Sequence, residues 1–177
     1  FEGNECFLRF LTEDFFVSVC TKLYRRNLLE NQPFRTGVYH EDEFWTYRVF
    51  SKARKACRVP YTGYYYYQRQ GSIVHTSPSY KRLSDAFDAA KERMDFIELQ
   101  YPQYASVGYT KAMSTCMYLY NKAERGDFPE KSALQEELLS FFRILFEKYL
   151  RRRQYQKFMW RFCFFRLFPK AYCRRFY

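Results

Sequence analysis

From residue 80 onward the apolar positions recur at helical steps. Tyr80, Leu83, Phe87, Ala90, Met94, Ile97 and Tyr101 alternate three and four residues apart, which draws one continuous stripe along an α-helix. Pro102 stops that helix. A second, over about 103–124, carries Ala112, Met113, Cys116, Leu119, Tyr120 and Ala123 on its apolar face and ends at Gly126. A third begins after Pro129, with Leu134, Leu138, Phe141, Leu145 and Tyr149, and its pattern allows continuation as far as Pro169.

Before residue 77 the pattern is mixed. Cys6, Phe7, Phe10 and Leu11 predict a short helix over about 4–13. Phe15 to Cys20 is aromatic and β-branched and reads as a buried strand. A helical turn over Asn27–Asn31 is ended by Gln32-Pro33. A helix over about 41–54 follows, with Phe44, Tyr47, Phe50 and Ala53 at helical spacing and Glu41, Asp42 and Glu43 in its first turn. Carboxylates suit that position, because unpaired N–H groups and the helix dipole favour negative charge. Two strands are predicted next, near 56–59 and 63–69, since alternate rings of Tyr64–Tyr67 can point to opposite faces. The turn-forming run Thr76-Ser77-Pro78-Ser79 marks a boundary. Strands and helices up to 77, then helices alone, predict an α/β or α+β fold with a helical C-terminal extension.

Charge changes this picture in one place. The 177 residues carry a net charge of +11, but residues 148–177 hold ten Lys or Arg and no acid, leaving 20 basic and 19 acidic groups before them. Only that last segment argues for a polyanionic partner. As a helix, 151–168 would put Tyr155, Phe158, Phe162 and Phe165 on one stripe opposite Arg153, Lys157 and Arg161, a pattern that suits the surface of an anionic membrane. The near-neutral remainder offers no second basic face, which argues against nucleic acid. Six scattered cysteines form no C-x-x-C pair and favour a reduced, cytoplasmic protein. No stretch approaches 18 uncharged apolar residues.

Three blocks carry the candidate chemistry. They are Cys20-Thr21-Lys22-Leu23-Tyr24-Arg25-Arg26, then His40-Glu41-Asp42-Glu43-Phe44, then Tyr64-Tyr65-Tyr66-Tyr67-Gln68-Arg69-Gln70-Gly71-Ser72-Ile73. In this order and spacing the chain resembles the second half of a family-two inverting glycosyltransferase. In that family a K-L-Y-R-R strand end precedes an E-D helix start, and a Y-Y-x-x-R-x-x-S-I strand and loop follow. The resemblance covers about residues 1–77 well and 78–125 more loosely. It implies a GT-A nucleotide-sugar fold whose acceptor-side half is residues 1–77, a helical region over 78–147 and a basic aromatic tail over 148–177.

The resemblance also implies roles. Asp42 is the catalytic base and Glu41 its neighbour, orienting it or binding acceptor. Lys22 and Tyr24 face the ligand at a strand end; Lys22 either meets a phosphate, orients Asp42 or is merely a solvated rim lysine. Gln68 and Arg69 lie on a loop over the nucleotide-sugar, with Arg69 paired to the diphosphate leaving group. His75 is a weaker candidate for a metal shell, because a lone His on a polar loop is more often simply exposed. The family uses Mg²⁺ or Mn²⁺ on a D-x-D motif, and no two aspartates of this chain are separated by one residue. With Phe1 rather than Met at the start, the expectation is a fragment whose donor and metal site lies upstream, inactive alone. The expected partners are a nucleotide-sugar donor and a glycan or lipid-linked acceptor, at the cytoplasmic face of the cell membrane. The alternative is a non-catalytic peripheral membrane or scaffold module.

Overall fold

The computed structural model describes residues 1–12, 17–67, 77–152 and 159–177. These residues are 69% helical and contain no sheet, so the fold is all-helical and the expected α/β architecture with a GT-A sheet is not present. The chain divides into two compact units, Phe1–Ser77 and Pro78–Tyr177.

In the first unit, α1 (Asn4–Thr12) packs against α2 (Glu41–Lys52). Cys6, Phe7, Phe10 and Leu11 are buried against Phe44, Tyr47, Val49 and Phe50, with the Phe10 and Phe50 rings 5.0 Å apart. Trp45 fastens the intervening segment to α2. Its Nε1–H donates to the Gln32 carbonyl at 2.7 Å, Phe34 stacks on it at 4.6 Å, and Tyr24 meets it edge-on at 5.4 Å. A buried indole needs a partner for its single donor, so this bond fixes where the 24–34 segment runs. Farther along α2, the Thr46 hydroxyl donates to the Val17 carbonyl at 2.8 Å.

The predicted strands fail for a physical reason. Val19–Thr21 is a 3-10 turn, and residues 56–59 and 63–67 form no ladder. Among the described residues the sole β pairing is the isolated bridge Glu2–Lys55. β-propensity measures fit to a pleated, half-buried surface. Tyr65 and Tyr67 are 86% and 83% exposed, so aromatic alternation finds neither a neighbouring strand nor a covered face. Residues 15–16 and 68–69 of the predicted strands lie outside the described residues.

The second unit follows its periodicity. α3 (Tyr80–Gln100) and α5 (Lys131–Arg151) both pack on α4 (Ala105–Glu124). Ser79 caps α3 by accepting the Arg82 N–H, as serine does at N-caps. The α5 stripe is centred on Leu134, Leu138, Phe142, Leu145 and Tyr149 rather than on Phe141, which sits at its edge against Phe87. Glu98 joins the three helices, accepting from the Tyr109 hydroxyl at 2.7 Å and from Lys148 Nζ at 2.8 Å. α5 ends at Arg151, and two short helices, α6 (Met159–Leu167) and α7 (Pro169–Phe176), pack onto α4 and α5.

Candidate functional site

α2 opens at His40, which adopts a left-handed conformation (φ 58°, ψ 42°) and supplies no side-chain cap. The His40 carbonyl accepts the Glu43 N–H at 2.9 Å, and that N–H is shared with a side chain. Asp42 is the second acceptor: its Oδ1 takes the same Glu43 N–H at 2.9 Å. That bond fixes the carboxylate on its own backbone, with the other oxygen still available.

The surroundings of Asp42 differ from those of an ordinary helix-start acid. Asp42 is half-buried, whereas Glu41 is exposed. Burial is the main cause that raises the Asp42 carboxyl above the usual carboxylate range, and the charges of Glu43 and Glu41 add to it; the Glu43 N–H opposes them. A helix N-terminus by itself would act in the opposite direction. Burial and crowding win here.

Lys22 and Tyr24 of the preceding segment lie within range of the Asp42 charge. Burial lowers the Lys22 ammonium below the usual lysine range, while the negative charge of Asp42 works against that shift. Lys22 Nζ also donates to the Ser18 carbonyl at 2.7 Å and to the Thr21 hydroxyl at 3.1 Å, which holds the side chain over its own turn. The Tyr24 phenol is pushed up to about 12, first by burial and then by Asp42. Its oxygen is buried and, among the described residues, is the buried side-chain polar atom without a hydrogen-bond partner. A buried hydroxyl without a partner costs about 1–3 kcal/mol.

Of the residues that the sequence singles out, Lys22 and Tyr24 lie within range of the Asp42 charge, and Glu41 beside it is exposed. Lys22 and Tyr24 do so without the sheet that was expected to carry them: Lys22 follows a 3-10 turn, and Tyr24 is held by Trp45. Gln68, Arg69 and His75 lie outside the described residues. Two neighbours were missed. The Ser18 and Tyr64 hydroxyls beside Cys20 hold its thiol below the usual range, so the start of the tyrosine run meets the Lys22 segment. Trp45 was missed as the organiser of the site, although a lone Trp in an acidic helix, needing one acceptor, was the available signal.

Among the described residues no three His, Cys, Asp or Glu side chains are placed to hold a metal ion. The resemblance puts the Mg²⁺ or Mn²⁺ ligands mostly outside this chain, and no step below passes through a metal. Compared with known proteins, the chain matches no family, no curated protein and no solved structure.

Proposed function

We propose that the first unit carries the acceptor side of an inverting glycosyltransferase, with Asp42 as its general base. In that reaction the Asp42 carboxylate takes the proton of an acceptor hydroxyl. The freed oxygen attacks the anomeric carbon of a nucleotide-sugar from the face opposite the nucleotide. The bond to the nucleoside diphosphate breaks as the new glycosidic bond forms, and the configuration inverts. Lys22 and Tyr24 bind beside the base. The Tyr24 hydroxyl donates to or accepts from the acceptor sugar, and Lys22 offers positive charge toward Asp42 or a phosphate.

The observation that carries this reading is the half-buried Asp42 in the first turn of α2, held by the Glu43 N–H, with Tyr24 packed on Trp45 of the same helix and Lys22 within range of its charge. A base works best when its pKa lies near the working pH, and the upward displacement of the Asp42 carboxyl is in that direction. The ordered motif blocks supply the reaction class; among the described residues no sheet supports it. The acceptor is a glycan or lipid-linked saccharide at the cytoplasmic face of a membrane.

The test is sugar transfer by the full-length protein from a panel of UDP- and GDP-sugars. Asp42→Asn keeps the size of the side chain and removes the basic oxygen, so turnover should fall about 10²–10⁴-fold. Glu43→Gln, one residue along the same helix turn, should lose far less. Equal losses in the two variants would reduce the acidic run to a helix start.

A further inference from the structure

The second unit has a surface that glycosyl transfer leaves unused. α6 and α7 each turn one face inward, burying Phe162, Phe165, Tyr172 and Cys173. Phe165 meets Phe142 of α5 at 5.0 Å and Tyr120 of α4 at 5.5 Å. The rings of Phe162 and Phe165, expected from sequence to enter lipid, are therefore core residues; Tyr155 and Phe158 lie outside the described residues. Other rings lie nearer the surface. Trp160, Phe164 and Phe168 recur at steps of four, with Phe164 half-buried against Tyr172, and Phe176 of α7 joins them, 5.7 Å from Trp160 and 6.2 Å from Phe164. Trp160 is 54% exposed, Leu167 68% and Phe168 57%.

Cations flank this apolar row. Arg161 and Arg166 are engaged internally, donating to the Tyr172 hydroxyl and to Glu147. Lys170 and Arg174, one turn apart on α7, have no carboxylate partner among the described residues. With Arg175 they border an open groove walled by Phe168, Pro169 and Ala171. Residues 148–177 supply no acid to offset them.

We infer that the α6–α7 face docks on an anionic phospholipid surface, with Trp160, Leu167 and Phe168 in the interfacial layer and Lys170, Arg174 and Arg175 at the lipid phosphates. A soluble polyanion would need the cations alone, whereas a membrane interface uses rings and cations on one face. The helices lie in that layer rather than cross it. At 1.5 Å per residue, nine and eight residues fall far short of a hydrocarbon core about 30 Å thick. Docking does not depend on the transfer reaction and is read without it.

Because α6 and α7 contribute buried rings, truncation would damage the core, and surface substitutions are the cleaner test. The whole chain is floated with phosphatidylcholine vesicles, with and without phosphatidylglycerol, over a range of salt. Binding is expected only with phosphatidylglycerol and should weaken as salt rises. Each basic residue near such a surface contributes about fivefold to partitioning, so Lys170→Gln, Arg174→Gln and Arg175→Gln together should lose on the order of 100-fold. Trp160→Ser with Phe168→Ser should also weaken binding at equal charge. Bromine-labelled lipid should quench the emission of the unaltered chain, and Trp160→Phe should abolish that quenching, a readout that stands even if a multiple variant unfolds. Binding that ignores lipid charge, or that persists in the triple variant, overturns the proposal. So does loss through the cations with no effect of the rings and no quenching, which would describe attraction to any polyanion.

Discussion

The two units meet the demand for backbone hydrogen bonds in opposite ways. In Pro78–Tyr177 the backbone is satisfied within helices, each of which buries one stripe. Among the described residues of Phe1–Ser77 only α1 and α2 do this, and the described part of the tyrosine run is exposed and without a ladder. A helix draws its bonds from its own sequence, whereas an extended run depends on a second segment placed beside it. The proposed chemistry lies in the less self-sufficient unit. The second unit satisfies its polar groups in pairs, as at Glu98, Tyr109 and Lys148; the first leaves the Tyr24 hydroxyl unpaired beside a half-buried acid.

The largest effect that would break this contrast is expected in the second unit. Phe142 is fully buried and meets Phe165 and Phe146, so Phe142→Ala should destabilise by about 3–5 kcal/mol, read from denaturant unfolding. A loss under about 1 kcal/mol would mean that the aromatic cluster is not the core. Next, Tyr109→Phe removes the hydroxyl that Glu98 accepts and should cost about 1.5–3 kcal/mol in the same assay, because the acceptor is charged.

The smallest effect has the opposite sign and belongs to the first unit. The Asp42 carboxyl is raised in the folded state, so ionising it opposes folding. That unit is relieved of this cost below the ordinary carboxylate range and bears it fully once pH exceeds the raised value. Asp42→Asn should therefore leave stability at pH 7 unchanged or slightly higher, with the difference vanishing as pH falls through the ordinary range. A clear loss at pH 7 would show the carboxylate to be a structural helix cap.

How far each unit could be read from its sequence follows from the same physics. Leu83, Phe87, Ala90, Met94 and Ile97 face inward on α3 because a long 3.6-residue period names its buried face without reference to any other segment. Tyr64–Tyr67 illustrate the reverse, since alternation predicts a strand only where a partner exists. Phe162 and Phe165 show a third case: periodicity finds the stripe but not whether protein or lipid covers it. For the site, Lys22, Tyr24 and Asp42 were legible as ordered motif blocks. Their placement was not, because it depends on the Trp45 bond to Gln32 and on the Phe34 stack, both set by tertiary packing.

The central claim is that the first turn of α2 holds a chemically prepared carboxylate and not just a charge that suits a helix dipole. Titration of the Asp42 carboxyl carbon by NMR separates the two, because they displace it in opposite directions. The Asp42 carboxyl is expected above the ordinary carboxylate range, moving back toward that range when Glu41→Gln and Glu43→Gln remove the neighbouring charges. An Asp42 that titrates at or below the ordinary range, as the helix dipole alone would produce, contradicts it.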